Sequence, residues 1–441
     1  MHRRLIPAAL TGAVVLVAAG FLVGRPPILD PPSVSGSSTP GAVAAASHAP
    51  PATSSPALPG STPSVDPSPG PSFRPRVGPT ASAALAARLQ EALDELRAAH
   101  GIPGVSASIV FPDGTAWTGV SGLADVGAGV KVRPDTAFAV GSISKTFTAA
   151  LILALSAEGR LSLSDAASRY LPGVEAVGSV TIRQLLDHTS GLRDYLIDAR
   201  FDRALRARPD RAWLPLRALA YAGKPYFPPG TGFHYSNTNY LLLGLIAERV
   251  GGAPLAVQLR TRFLDPLGLS RTYDQAVEQP RGPTAHGYRF AGAARSLPPI
   301  DVTDGDGMMP FRSVVTAAEG AGSLAATSLD VARWSSALYG GRVLDRSSLA
   351  LMLAAVDRGA GYAPGPYGLG VQSVQVGRFG SWGHSGRLLG FRAVTRYLPA
   401  DGIAIGVLTN QTRVDPGVIL AELARIADPP PGPCRLCARA S

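Results

Sequence analysis

Ser142-Ile143-Ser144-Lys145 runs into an apolar stretch, Phe147 to Leu155, that reads as a buried helix. Residues three apart on a helix share a face, so the Ser142 hydroxyl and the Lys145 amine meet. A Ser in the first turn gains from the helix N-terminus, which favours developing negative charge. A Lys on the same face of so apolar a helix is desolvated, and desolvation lowers its pKa toward a neutral, usable base. Ser144 points elsewhere. Lys occurs only at Lys131, Lys145 and Lys224, so a Lys inside a motif is less a matter of chance. Alone, the pattern also describes a capping Ser beside a solvated Lys.

Two further clusters carry chemistry. Tyr235-Ser236-Asn237 follows Phe227-Pro228-Pro229-Gly230 and precedes an apolar helix, which places it on a loop. A Tyr relays a proton if a cation holds its phenol acidic, and an Asn binds a substrate amide. His384-Ser385-Gly386 precedes strand-like Phe391 to Val394 and reads as an edge strand. A Gly there admits a second backbone, and a Ser donates to a carboxylate. Either cluster by itself is equally a turn or a plain strand end.

The elements that must hold these groups are legible in outline. Ala84 to His100 is an amphipathic helix with Leu85, Leu89, Leu93 and Leu96 on one stripe. Val105 to Phe111 and Ala116 to Val120 form two strands around Pro112-Asp113-Gly114. Ser142 to Glu158 is a helix stopped by Gly159, and Thr181 caps a short helix through His188. Tyr240 to Val250, Ser328 to Tyr339 and Val418 to Ala427 are helices, while Phe391 to Leu398 and Ile403 to Asn410 are strands. Strands at both ends with helices between predict an α+β domain, an antiparallel sheet assembled from both termini with a helical insertion.

The three clusters in this order resemble the serine penicillin-recognising family: class C β-lactamases, D-alanyl-D-alanine carboxypeptidases, lactamase-fold esterases and related hydrolases. Ala139 to Phe147, Thr181 to Gly191, Phe227 to Tyr240 and Gly320 to Trp334 resemble it too, and the likeness spans about Pro103 to Asn410. It implies a β-lactamase/transpeptidase-like fold, an antiparallel sheet flanked by helices with an all-helical insertion. It implies Ser142 as the acylated nucleophile, Lys145 as base or electrostatic partner and Tyr235 as proton shuttle. Asn237 would hold the substrate amide, and His384 and Ser385 would line the carboxylate side at Gly386. The main-chain N–H groups of Ser142 and Arg387 would form the oxyanion hole. No metal or cofactor is implied. The expected activity is hydrolysis of peptides, amides or esters through an acyl-enzyme. A D-alanyl-D-alanine carboxypeptidase-like enzyme acting on cell-wall stem peptides comes first, then a β-lactamase or esterase, then a tethered binder or sensor without turnover. The third motif departs from the family's frequent K-T-G, and a neutral His offers a carboxylate less charge than a Lys. No S-D-N and no G-x-S-x-G occurs.

Composition bounds the rest. The 441 residues are 46% hydrophobic with a net charge of +10, enough for a large core. Arg is scattered singly without interleaved aromatics, which argues against nucleic acid. Two Cys exclude a disulfide framework. His2-Arg3-Arg4 precedes 19 uncharged apolar residues, Leu5 to Val23, between the usual signal core of ~7–15 and a span of ~17–25. Residues 1–23 are a signal peptide or a membrane anchor, either of which puts the remainder outside the cell. Residues 24–80 are a Pro/Ser/Gly-rich linker, 81–428 the folded domain and 429–441 a tail, where Cys434 and Cys437 form C-x-x-C. His188, His234 and His286 lack metal-ligand spacing and read as structural, with His234 abutting Tyr235. Asp301, Asp304 and Asp306 form a turn or a loop over the cleft.

Overall fold

The computed structural model describes residues 82–291, 298–303, 309, 311–355 and 366–427. The signal or anchor segment, the linker, the tail with Cys434 and Cys437, and Asp304 and Asp306 lie outside the described residues. Among the described residues no single helix is long and apolar enough to cross a membrane.

The described strands are β1 (Gly104–Val110), β2 (Ala116–Asp125), β3 (Val130–Lys131), β4 (Phe138–Ala139), β5 (Tyr273–Asp274), β6 (Tyr288–Arg289), β7 (Ile300–Asp301), β8 (Leu324–Ala326), β9 (Gln372–Val376), β10 (Phe379–Leu388), β11 (Phe391–Leu398) and β12 (Ile403–Thr409). The main sheet runs β3-β2-β1-β12-β11-β10-β9, antiparallel at every pairing. The first and last of these strands in chain order, β1 and β12, pair with each other, Val105 opposite Thr409. The domain is the expected α+β structure.

The helices are α1 (Ala83–His100), α2 (Ser144–Ala157), α3 (Ile182–Leu186), α4 (Ala199–Ala207), α5 (Pro215–Leu219), α6 (Asn237–Gly251), α7 (Leu255–Leu259), α8 (Arg312–Ala318), α9 (Ser328–Tyr339), α10 (Arg346–Leu353) and α11 (Gly417–Ala427). All of β1 is buried because both sheet faces are covered. Val105, Ala107 and Ile109 pack with Leu89 and Leu93 of α1 and Ile419 and Leu423 of α11. On the other face the hydroxyls of Ser106 and Ser108 lie 2.8 and 2.7 Å from Ser328 Oγ at the start of α9. Such small polar side chains let a helix approach the sheet while their hydroxyls stay paired.

The insertion between β4 and β8 is mostly helical, with α2 and α6 packed together at its centre. Phe147 of α2 stacks on Trp334 of α9, ring centroids 3.8 Å apart. Thr181 caps α3 through a reciprocal box with Gln184, as its sequence suggests. Three details differ from the sequence expectation. Ser142 sits in a 3₁₀ turn, Gly141–Ile143, and the α-helix begins at Ser144. Ser142 and Lys145 therefore straddle the junction of the 3₁₀ turn and the α-helix. Next, α6 begins at Asn237, so the Tyr235 cluster runs straight into the helix. Finally, β10 is not itself the edge strand, because β9 pairs Phe379 to Gly383. That pairing stops there, and the half carrying His384 to Arg387 borders the cleft. Asp125, His286 and Asp301 also close on one another, their ligand atoms all within 4.8 Å, a proximity their spacing did not show.

Candidate active site

Lys145 is fully buried and makes three contacts. Its Nζ lies 3.0 Å from Ser142 Oγ, 2.7 Å from Asn237 Oδ1 and 2.6 Å from the Ala321 carbonyl oxygen. A neutral amine has two N–H bonds and one lone pair. The carbonyl and Oδ1 are acceptors and take the two protons, which leaves the lone pair for the Ser142 hydroxyl. Burial pushes Lys145 down to about 7, against an opposing pull from the Asp194 charge. Both protonation states are therefore populated near neutrality. Ser144 is bound elsewhere, donating to the Gly141 carbonyl at 2.7 Å and accepting from Leu324 N–H at 3.2 Å.

Asn237 is engaged at both ends. Its Nδ2 donates to Asp194 Oδ2 at 2.7 Å, which fixes Oδ1 toward Lys145. The buried Asp194 carboxyl is raised by desolvation and held by donors from Leu196 and Asn237. The structure thus places Asn237 as an orienter of Lys145. Tyr235 stands on the same side, with Lys145 Nζ 5.1 Å from its ring centroid. His188 lies against it, ring centroids 4.3 Å apart, and His234 stacks on Tyr226 at 3.9 Å.

The opposite wall is β10. A cleft of about 250 Å³ is lined by Ser142, Tyr235, His384, Ser385, Arg387 and Arg392 among others. The Ser142 turn and β10 touch through their main chains. A Cβ on Gly386 would sit 1.9 Å from the Val140 carbonyl oxygen, and one on Gly141, at φ +52°, 2.9 Å from the Arg387 backbone. Only glycines permit this contact. It sets the Arg387 main chain beside that of Ser142, where the oxyanion hole is expected.

Ser385 has a partner that sequence reasoning missed. Arg396 of β11 is 5% exposed. Its Nη2 donates to Ser385 Oγ at 3.0 Å and to Gln372 Oε1 at 2.9 Å, while Nη1 donates to the Thr395 carbonyl. Gln372 Oε1 also accepts the Ser385 N–H at 3.0 Å. Burial lowers Arg396 to about 10, still charged at neutral pH. Because Ser385 Oγ accepts from a guanidinium, its own proton is left to donate. An Arg within a strand of mixed polar and apolar residues, Phe391-Arg392-Ala393-Val394-Thr395-Arg396, was the available signal. Asp194 and the Ala321 carbonyl carried none.

The profile of the family described as Beta-lactamase matches residues 89–428. The chain is 32% identical over 342 residues to penicillin-binding protein 4 of Amycolatopsis lactamdurans, covering 74% of this chain and 85% of that one. A crystal structure of a D-stereospecific amidohydrolase from Streptomyces sp. superposes with a TM-score of 0.65 at 30% identity, covering 76% of this chain and 97% of the other. The D-amino acid amidase of Ochrobactrum anthropi SV3 complexed with D-phenylalanine gives 0.69 at 25% identity, over 78% and 99%. The chain belongs to the β-lactamase family and is one of its serine hydrolases.

Proposed function

We propose that the protein is a D-alanyl-D-alanine carboxypeptidase-like enzyme that removes a residue bearing a free carboxylate from a short peptide. Ser142 Oγ attacks the scissile carbonyl as its proton passes to the Lys145 lone pair. The N–H groups of Ser142 and Arg387 receive the developing oxyanion. Tyr235 hands the proton to the departing amine, which leaves an ester on Ser142, and water hydrolyses that ester.

The observation that carries the substrate class is Arg396 behind Ser385. A buried guanidinium that makes the Ser385 hydroxyl a donor suits an anionic terminal group, and hydrogen bonds involving a charged partner are worth ~1.5–3 kcal/mol. The similarity to D-amino acid amidases favours a second reading, hydrolysis of D-amino acid amides. A panel separates them: an N-acylated D-alanyl-D-alanine, the same dipeptide as its C-terminal amide, D-phenylalaninamide and a chromogenic cephalosporin. The free acid is expected to exceed its amide in kcat/KM by about 10-fold or more. A higher value for the amides makes the enzyme an amidase, and acylation without release makes it a binder.

The N-terminal segment supports an outward-facing domain, anchored or released. Protease added to intact cells would then remove or find it outside, and full protection would contradict this.

A further inference from the structure

A chain of buried side chains crosses from the helical lobe to the sheet behind Tyr235. It begins at His188, held at φ +63°, a left-handed conformation uncommon outside glycine and often associated with function. His188 Nδ1 lies 3.1 Å from the main-chain nitrogen of Ser236 and 3.2 Å from Asn239 Nδ2. A main-chain N–H only donates, so Nδ1 is the acceptor and the ring proton sits on Nε2. Nε2 lies 3.3 Å from the Tyr367 hydroxyl, and that hydroxyl lies 3.0 Å from His384 Nε2. At the far end His384 Nδ1 lies 2.6 Å from the Ser385 carbonyl oxygen, which only accepts. His384 therefore carries a proton on Nδ1.

Main-chain groups at both ends thus fix the two tautomers, and one neutral assignment then satisfies both Nε2 atoms. His188 Nε2–H donates to Tyr367, Tyr367 donates to His384 Nε2, and His384 Nδ1–H donates to the Ser385 carbonyl. An imidazolium at His384 would instead make Tyr367 accept from both rings. Its proton would then turn toward the Tyr240 hydroxyl beside it, which already donates to the Leu186 carbonyl. The charged groups around the chain disfavour this. Lys145 of α2 lies over the rings of Tyr235 and Tyr240, and Arg396 of β11 reaches Ser385. Arg387 and Arg392 line the cleft with the acid Asp415, while Asp194 faces Lys145 and Asp187 acts on Tyr240. A further buried cation so close to Lys145 and Arg396 costs free energy.

We propose that His384 is a positioning residue, held neutral by the hydrogen-bonded chain His188–Tyr367–His384, and that its Nε2 serves Tyr367 and not the substrate. The chain joins the Tyr235 loop, through Ser236 N–H, to β10 beside Ser385. Tyr367 thereby sets the distance between the proton shuttle and the opposite wall, and the charge behind Ser385 comes from Arg396. This inference rests on the geometry and not on which substrate is cleaved.

Ring ¹⁵N NMR of the folded protein between about pH 5.5 and 8, where an ordinary His titrates, tests it. Signals are assigned with His188→Gln and His384→Gln. The expected pattern is a proton on Nε2 of His188 and on Nδ1 of His384, with neither ring titrating. Tyr367→Phe removes the donor to Nε2, so His384 should begin to titrate in that window and the acylation rate should show a second ionisation. A parent His384 that titrates there, or is protonated on Nε2, overturns the proposal, as does a folded Tyr367→Phe with the parent pattern. The parent spectrum decides the matter even if that variant does not fold. Failure here leaves acylation at Ser142 untouched, and failure of acylation leaves the ring pattern untouched.

Discussion

Lys145→Ala is expected to slow acylation by at least about 10²-fold, the usual contribution of a positioned general base. The hydroxyl of Ser142 loses the Lys145 amine, which lies 3.0 Å away. The parent enzyme should show the matching pH dependence. The amine is a base only when deprotonated, and burial holds it down to about 7. The acylation rate therefore rises with pH through about 7 and levels off above it, and Lys145→Ala lacks this limb. Stability carries the same signature. Between about 7 and the unburied value of 10.5, the unfolded chain binds a proton at Lys145 that the folded chain does not. Stability from this group rises with pH across that window, and Lys145→Met should remove that component. Stopped-flow acylation and denaturant titrations at several pH values read both effects. An acid limb unchanged in Lys145→Ala would assign the base elsewhere.

Gly386→Ala is expected to lower kcat by about 10²–10³-fold, the cost of losing one oxyanion donor. Its Cβ would meet the Val140 carbonyl oxygen at 1.9 Å, and main chain cannot yield as a flexible side chain does. The strand must withdraw from the Ser142 turn and take the Arg387 N–H with it. Pairing of β10 with β9 and β11 should keep the fold, so thermal unfolding serves as the control. A kcat within a few fold of the parent would mean that the β10 main chain does not bind the oxyanion.

How much of this could be read from the chain depended on whether a residue's role is local. The helix through Lys145 was legible because Phe147 to Leu155 is apolar but for Thr148, and all of it but Ala154 is buried. Strands β1 and β2 were legible around the Pro112-Asp113-Gly114 turn, and β11 and β12 from their strand-like runs. The short helices α4 and α5 were not: they are held by Tyr195, Phe201, Ala218, Leu241 and Ala317, which come from separate segments. The same holds in the site. Ser142, Lys145 and Tyr235 lie in recognisable patterns. Asp194 matters because it pins Asn237 and its charge acts on Lys145, Ala321 only through its carbonyl, and Arg396 because strand register sets it beside Ser385. Tyr367 joins two His residues that are 196 positions apart in the chain, His188 and His384. Such partners are created by tertiary structure and leave no spacing to find.

The central claim is that Ser142 is the nucleophile of an acyl-enzyme. Intact-protein mass spectrometry after exposure to a penicillin or a fluorophosphonate tests it most directly, on the parent and on Ser142→Ala and Ser144→Ala. One adduct is expected on the parent, mapped to Ser142, the same adduct on Ser144→Ala, and none on Ser142→Ala. An adduct that survives Ser142→Ala, or maps to Ser144 or Ser385, would contradict it.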